Sequence, residues 1–462
     1  MNKFIMATPI VSMLTSVFLL TAANCDYSKE TLTSLVLSKQ ATPPEIVEKS
    51  TTYDLVNPTP AYIPPVLLTG KTELQQGDIL SLRLLSVPQG VIPKAETELG
   101  MSEFITIEDG EWYAVIPIAN ARKPGDYTVS IKAGESTFTV NVKVLAFNFD
   151  RQNLRINTSS PAIMEATSPE AYRQFDEKVP PIYKIVDETR YWSGIFESPV
   201  VGRITTNYGE IRITNGDQST ATAHRGMDIA APLGAPVLAP NAGRVVFAEM
   251  LLNTGNTIYI EHGGGLKSVY FHMNRLDVSV GDMVKKGTQL GTVGTTGYST
   301  GPHLHYDMRI GDQSVSPQML FEKDAGLYSA AKKTPDIRVF VNNKQLNFDQ
   351  PPYIENDRAF VPMRAVFEAL GASVKWDEST KSIEARRDNL VIRLTVGSAT
   401  AGRWDESGYS NINSGVETKI INNTVFVPLR FITDSLKANA TWDNVSRTAI
   451  VTSSPTQLNS SH

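Results

Sequence analysis

Apolar and polar residues alternate with a period of two along short stretches of the chain. The residues from Leu80 to Leu84 alternate in this way, as do those from Tyr127 to Ile131 and from Phe138 to Val144. This period is typical of a β-strand with one buried face. Short strands separated by turns predict an immunoglobulin-like β-sandwich over residues 61–147, which contain no His or Cys and therefore no obvious catalytic site.

Length and charge limit the remaining possibilities. The 462 residues predict about three domains. Lys and Arg number 43 against 48 Asp and Glu, so no basic field exists to hold nucleic acid, and we expect no such partner. We predict a mainly β, multidomain chain with these segments: signal peptide 1–25, linker 26–60, β-sandwich 61–147, connector 148–190, histidine-rich domain 191–326, linker 327–336 and a duplicated small α+β tail 337–455.

The N-terminus resembles an export signal. Residues 4–25 carry no charge and follow a single Lys, which predicts a secretory signal peptide, with a retained anchor as the alternative. The single cysteine, Cys25, lies where a bacterial lipoprotein signal places its lipidated residue, and an incidental cysteine lost with the signal is the other interpretation. Both interpretations predict a mature protein outside the cytoplasm, extracellular or in the bacterial envelope.

The tail contains an internal repeat. The sequence Phe360–Arg364 recurs as Phe426–Arg430, and Trp376-Asp377 recurs as Trp442-Asp443, both 66 residues further on. Two matches at one offset indicate a duplication. Each unit predicts a strand, a short amphipathic helix (ended by Gly371 in the first unit) and a Trp-Asp pair that begins a strand and hairpin. We predict that both Trp residues are buried in the core, with sugar stacking as the alternative.

Histidines concentrate in one segment, because five of the six lie between residues 224 and 305. Two motifs stand out, His224-x-x-x-Asp228 and His303-x-His305, with His272 between them. The His-x-His spacing places both imidazoles on one face of a strand. Glycine and proline in and after the first motif predict a loop that leads into a strand.

This combination of residues predicts a metal site. Two His and one carboxylate suit zinc, and three protein ligands leave a fourth position for water, as in catalytic zinc sites. Zinc lowers the pKa of that water and polarises a carbonyl. The surplus histidines are candidates for proton transfer and oxyanion stabilisation. We expect His262, which opens a glycine-rich turn, and the terminal His462 to lie outside the site.

At these motifs the sequence resembles the lysostaphin-type (LytM-like) zinc metallopeptidases, through His-x-x-x-Asp, Tyr-x-His and Gly-Pro-His-Leu-His in that order. The resemblance covers residues 191–326. It implies an antiparallel β-sheet groove and hydrolysis of amide bonds in peptidoglycan peptides. It also implies the metal ligands His224, Asp228 and His305. His272 and His303 would then flank the water and orient or deprotonate it.

The tail resembles the duplicated copper amine oxidase N-terminal-like domain of bacterial envelope proteins. Residues 327–461 contain neither His nor Cys, so copper binding has little ligand support there. Because this domain occurs in bacterial envelope proteins, we expect the tail to attach the protein to the cell wall.

The most direct interpretation is an exported zinc endopeptidase that cuts peptidoglycan peptides. The first alternative is a non-catalytic envelope binder or regulator that holds wall peptides in the zinc groove. A second alternative is a peptidase for extracellular proteins. A sugar-phosphotransferase IIA domain also uses two histidines on a related β-fold, but the export signal argues against that cytoplasmic class.

Overall fold

The computed structural model describes residues 62–107, 111–323, 326–330 and 333–453. The predictions made for the signal peptide, Cys25, the linker 26–60 and His462 lie outside these residues. Among the residues described, no helix combines the length and hydropathy that crossing a bilayer requires. The chain is mainly β and multidomain, as predicted.

The first region consists of two four-stranded sheets around a shared apolar core. One sheet has the order β1-β3-β6-β5 and the other β2-β8-β7-β4. Alternate residues of β7 and β8, such as Val129 and Val140, face this core, as the period of two predicts. The immunoglobulin-like type of this region stays a prediction. Its strands are β1 Val66–Thr69, β2 Glu73–Gln75, β3 Ile79–Leu85, β4 Lys94–Glu96, β5 Phe104–Thr106, β6 Trp112–Pro117, β7 Gly125–Ala133 and β8 Ser136–Leu145.

Strand β3 is buried on both faces, which its alternating sequence does not indicate. Leu80 and Leu82 face the core between the sheets, while Ser81 is equally buried on the opposite face. The segment 326–330 covers that second face, and the Ser81 hydroxyl donates a 2.5 Å hydrogen bond to the Gly326 carbonyl. The start of the predicted linker 327–336 is therefore packed, with Leu327 buried, and does not run free across the surface.

The connector forms a strand and three helices that pack onto the following region. They are β9 Arg151–Leu154, α1 Pro161–Ala166, α2 Pro169–Lys178 and α3 Pro180–Tyr183. The Ser168 side chain caps α2 by accepting a hydrogen bond from the Ala171 amide. Phe175 and Val179 pack against Phe247 and Tyr259. These apolar contacts hold the connector against the next sheet.

The histidine-rich region is built on an eight-stranded sheet with the order β10-β13-β21-β17-β16-β15-β19, in which β22 also pairs with β21. Neighbouring strands pair antiparallel, as predicted. Two three-stranded sheets, β12-β11-β9 and β14-β20-β18, flank it. The strands are β10 Arg203–Thr206, β11 Ile211–Thr214, β12 Asp217–Ala223, β13 Met227–Ala230, β14 Pro236–Leu238, β15 Gly243–Leu251, β16 Gly255–Glu261, β17 Leu266–Met273, β18 Arg275–Leu276, β19 Met283–Val284, β20 Gln289–Thr292, β21 His303–Ile310 and β22 Gln313–Val315. A 3-10 helix, Pro317–Phe321, and helix α4, Gly326–Ser329, follow.

The tail contains three sheets and two helices. Their orders are β24-β23-β35-β34, β25-β26-β33-β32 and β27-β28-β29-β30-β31. The elements are β23 Arg338–Val341, β24 Lys344–Gln345, β25 Tyr353–Glu355, β26 Arg358–Pro362, α5 Met363–Ala369, β27 Ser373–Asp377, β28 Ser382–Arg387, β29 Leu390–Thr395, β30 Thr400–Asp405, β31 Gly408–Asn413, β32 Lys419–Ile421, β33 Thr424–Pro428, α6 Leu429–Leu436, β34 Ala438–Asp443 and β35 Thr448–Ser453.

The two repeats fold alike up to the Trp-Asp pair. Each has a strand followed by a helix, and Gly371 ends α5 at φ +86° while the Ala372 amide reaches back to the Phe367 carbonyl. The Trp-Asp pair ends the first strand of a hairpin and does not begin it. Trp442 is 36% exposed and Trp376 is half-buried, so the predicted burial is wrong for Trp442 and holds only in part for Trp376.

A buried ion pair joins the connector to the main sheet. The side chains of Glu261 and Lys267 are fully buried and lie 2.6 Å apart, and Lys267 also donates to the Ile185 carbonyl at 2.6 Å. Burial raises the pKa of the Glu261 carboxyl and lowers the pKa of the Lys267 amine, and their mutual attraction opposes both shifts. Neither charge is stable there without the other.

Replacing Lys267 by Met should destabilise this region by about 3–5 kcal/mol, because it leaves an unpaired buried carboxylate. The double variant with Glu261→Gln should recover much of that loss, because the neutral amide keeps an oxygen for the Gly265 amide. Scanning calorimetry of the three proteins measures this effect. Equal loss in the single and double variants would show that the unpaired charge is not the cause.

Candidate metal centre and active site

The pairing of β13 with β21 brings the two main motifs together. Asp228 lies directly opposite His305 across this antiparallel pair, so their side chains share one face of the sheet. Their neighbours in the two strands, Ile229 and Leu304, point to the other face and are buried in the apolar core. His224 lies in the loop between β12 and β13, as predicted, and its amide donates to the Glu210 carbonyl at 2.9 Å.

Three ligand atoms of this group converge. His224 Nε2 lies 2.9 Å from His305 Nδ1 and 3.2 Å from Asp228 Oδ1, and His305 Nδ1 lies 3.0 Å from Asp228 Oδ1. Bonds of about 2.0–2.1 Å to a tetrahedral zinc would separate such atoms by roughly 3.3 Å. The three residues therefore offer a donor set of the size and chemistry that a small divalent ion requires.

The protonation states of Asp228 and His305 also favour the binding of a cation. Burial alone would raise the pKa of Asp228, but hydrogen bonds with His224 and His305 outweigh it and hold that pKa well below its usual value. Burial lowers the pKa of His305 to about 4, which keeps its ring neutral. His224 donates Nδ1–H to the Asn207 carbonyl at 3.2 Å, so Nε2 is the nitrogen that faces Asp228 and His305.

A backbone irregularity directs His272 towards this group. Two residues of β17, Phe271 and His272, oppose the single Thr257 of β16, which is the arrangement of a β-bulge. His272 has φ +64°, a conformation that costs a non-glycine residue of order 1–3 kcal/mol. Its Nδ1–H donates to the Thr296 carbonyl at 2.8 Å, and burial lowers its pKa to about 3. The ring is therefore neutral with Nε2 free to accept a proton.

His303 stands beside His272 at the mouth of the group. The two ring centroids are 4.9 Å apart, and His303 Nε2 lies 3.9 Å from Asp228 Oδ1. Its Nδ1–H donates to the Gly301 carbonyl at 2.8 Å. His303 therefore presents Nε2 in the same way as His272, and the structure brings all five predicted site residues together.

A cleft of about 480 Å³ borders these residues. Its lining includes His272 and His303 together with connector residues such as Gln152 and Arg155. Thr206 donates a 3.3 Å hydrogen bond to Gln152, which ties the connector to β10. The connector thus supplies a wall of the cleft and leaves space beside the two imidazoles.

Sequence reasoning missed Arg212, which donates a hydrogen bond to Asp228 Oδ2. This contact occupies the carboxylate oxygen that faces away from His224 and His305 and so orients Oδ1 towards them. Arg212 lies on β11, in a different sheet from Asp228. Nothing in its local sequence distinguishes it from the other Lys and Arg residues, so only the fold reveals the contact.

His262 lies outside the group, as expected. Its ring is fully buried, donates Nδ1–H to the Ala242 carbonyl at 2.6 Å and accepts from the Ser268 hydroxyl at 2.8 Å. Burial lowers its pKa to about 4. It therefore acts as a neutral, fully hydrogen-bonded core residue.

Comparison with known proteins agrees with this geometry. Residues 222–317 match peptidase family M23, and residues 340–451 match the copper amine oxidase N-terminal domain. The chain therefore contains an M23 (LytM-type) peptidase domain, followed by a copper amine oxidase N-terminal-like domain. The predicted resemblance to both families is confirmed.

Individual relatives share the peptidase region. The chain is 35% identical over 133 residues to the peptidoglycan DD-endopeptidase ShyC of Vibrio cholerae, covering 29% of this chain and 30% of that protein. It is 38% identical over 120 residues to the DD-carboxypeptidase/endopeptidase Mpg of Neisseria meningitidis, covering 24% and 28%. The solved catalytic domain of lysostaphin from Staphylococcus simulans is 31% identical, with 25% of this chain and 90% of that domain covered at a TM-score of 0.23. The chain thus spans less than a third of these two curated relatives.

Gly226 allows the first motif to approach β21. A Cβ atom at this position would lie 2.5 Å from the Tyr306 carbonyl oxygen and 2.9 Å from His305 Nε2. Gly226→Ala should therefore displace His305 and weaken metal binding by about tenfold or more. Competition with a chromogenic chelator measures that affinity. Gly301→Ala is the matched control, because its Cβ meets nothing within 4 Å; an equal loss in both variants would contradict the steric explanation.

Proposed function

We propose that the protein is an exported, zinc-dependent endopeptidase that hydrolyses amide bonds of peptidoglycan peptides. The observation that carries this proposal is the convergence of His224 Nε2, Asp228 Oδ1 and His305 Nδ1 within 3.2 Å of one another. Relatives named peptidoglycan DD-endopeptidases support the substrate class. The signal-like N-terminus and the location of the wall polymer outside the cytoplasm support export, with lipid attachment at Cys25 as one form of it.

In this mechanism His224, Asp228 and His305 would hold the zinc ion. When bound, zinc would act as a Lewis acid that polarises the scissile carbonyl and lowers the pKa of water. Arg212 occupies Oδ2 of Asp228, so Oδ1 is the carboxylate oxygen directed towards His224 and His305.

His272 and His303 carry the proton transfers. Both rings give Nδ1–H to a backbone carbonyl, so each has Nε2 as its only basic atom. One of them accepts a proton from the attacking water at Nε2 and later delivers it to the leaving amine nitrogen. The other can donate a hydrogen bond to the carbonyl oxygen, as negative charge develops there, when its Nε2 carries a second, solvent-derived proton as an imidazolium. The bulge at His272 aims its ring for this task.

The tail supplies the second part of the proposal, attachment to the cell wall. The domain has no histidine or cysteine, so recognition of a wall component suits it better than copper chemistry does. A non-catalytic binder that holds wall peptides in the groove is the alternative function. The presence of two imidazoles beyond the three-residue donor set favours catalysis over holding.

Removal of the metal should abolish turnover. We expect a chelator to stop the release of peptides from purified cell walls and zinc to restore it, because the three-residue donor set then regains its ion. His305→Ala should lose both zinc and activity, as measured by metal analysis and by mass spectrometry of released fragments. Stoichiometric zinc and wall binding without any cleavage would support the alternative binder. Casein digested in parallel tests the second alternative, a peptidase for extracellular proteins.

His272→Asn should keep zinc but lower kcat by about 10²- to 10⁴-fold, because the amide cannot carry a proton. Asn is the suitable replacement because it tolerates the positive φ of this position better than Ala does. Steady-state kinetics on a defined cross-linked peptide, with metal analysis of the same sample, provides the test. Wild-type kcat in this variant would remove His272 from the mechanism.

A further inference from the structure

Two clefts in the tail share one tryptophan. A cleft of about 720 Å³ opens between the repeats and is lined by Arg364, Glu368 and Trp376 of the first repeat and by Asn423 and Thr424 of the second. A second cleft, of about 440 Å³, runs over β27, β28 and β29. Trp376 lines both, but the two clefts lie on opposite faces of its sheet. Its side chain shares a face with Ile383 and the larger cleft, whereas Lys375 and Glu384 line the smaller cleft on the other face.

The indole of Trp376 has no unused polar group. Its Nε1–H donates to Glu378 at 2.6 Å, and part of its ring packs against the tail core. What it offers to a ligand is therefore aromatic surface. The π-face of such a ring carries partial negative charge and attracts the C–H groups of a flat apolar face.

Two ion pairs line the larger cleft beside Trp376. Lys381 contacts Glu378, and Arg364 lies 3.5 Å from Glu368. Asp349 adds one further carboxylate to the lining. The larger cleft thus combines an aromatic platform with polar walls that present hydrogen-bond donors and acceptors to a ligand.

A pyranose ring fits this chemistry. It has a face of C–H groups that stacks on an indole, while its hydroxyl and acetamido groups point outward to polar walls. The larger cleft, of about 720 Å³, has room for more than one sugar residue. A polymer of neutral N-acetylated sugars is the component of a cell wall with this chemistry.

We propose that the tail binds the glycan strand of peptidoglycan across Trp376, an inference that rests on the proposed cell-wall substrate. The tryptophan of this site comes from the first repeat. Trp442, the equivalent residue of the second repeat, lines neither cleft. Its hairpin pairs with β23 in a different sheet, whereas the hairpin of Trp376 continues into β29. The duplication therefore preserved the tryptophan and changed its surroundings.

Calorimetric titration of the full chain with the N-acetylglucosamine tetramer tests this site. Trp376→Ala should weaken binding by about tenfold or more, whereas Trp442→Ala should leave it unchanged. Because Trp376 also packs on the core, a second variant, Ala365→Arg, fills the larger cleft from a partly exposed helix position and should also reduce binding. Thermal unfolding verifies that each variant is folded.

Three results would overturn the proposal: equal binding by the wild type and Trp376→Ala, a larger loss in Trp442→Ala, or binding of a free stem peptide in place of the tetramer.

Cleavage of a soluble cross-linked peptide is measured on the same samples. We expect Trp376→Ala to keep wild-type cleavage of that peptide and to bind less to insoluble walls. Glycan binding without any cleavage would refute the peptidase and not the site, whereas cleavage without glycan binding would refute the site alone.

Discussion

The antiparallel register between β13 and β21 is the constraint on which the candidate centre depends. It sets Asp228 opposite His305 on one face and buries Leu304 on the other. A slip of one residue would turn the ligand atoms into the core and expose apolar side chains, so the burial of the core and the geometry of the centre support the same register. The close approach at Gly226 then lets His224 complete the group.

Three histidines of the group share one hydrogen-bond arrangement. His224, His272 and His303 each donate Nδ1–H to a backbone carbonyl, which leaves Nε2 as the reactive atom in every case. One scheme of orientation thus serves both the donor set and the two additional imidazoles. The strained backbone of His272 is tolerated because the surrounding sheet holds it in place.

Much of this arrangement could be predicted from local patterns. Period-two alternation indicated strands, the 66-residue offset indicated a duplication, and the spacing of His303 and His305 indicated a shared strand face. Contacts between distant segments could not be predicted. Ser81 is buried because a segment 245 residues later covers it, and Arg212 reaches Asp228 from another sheet. The burial of Trp442 was predicted wrongly, because a tryptophan in a repeated strand motif is typical of a buried core whether or not the final packing covers it.

The sequence by itself determined the residue types of the centre and their order, because His and Asp are zinc ligands and occur at spacings that a strand and a loop allow. Its motifs also indicated the family that the peptidase region matches. Only the tertiary structure decided which atoms converge, which nitrogen of each imidazole remains free and where the connector borders the cleft. It also decided that the two duplicated tryptophans have different surroundings. These properties depend on strand pairing and on packing between segments far apart in the chain, and local sequence carries little information about either.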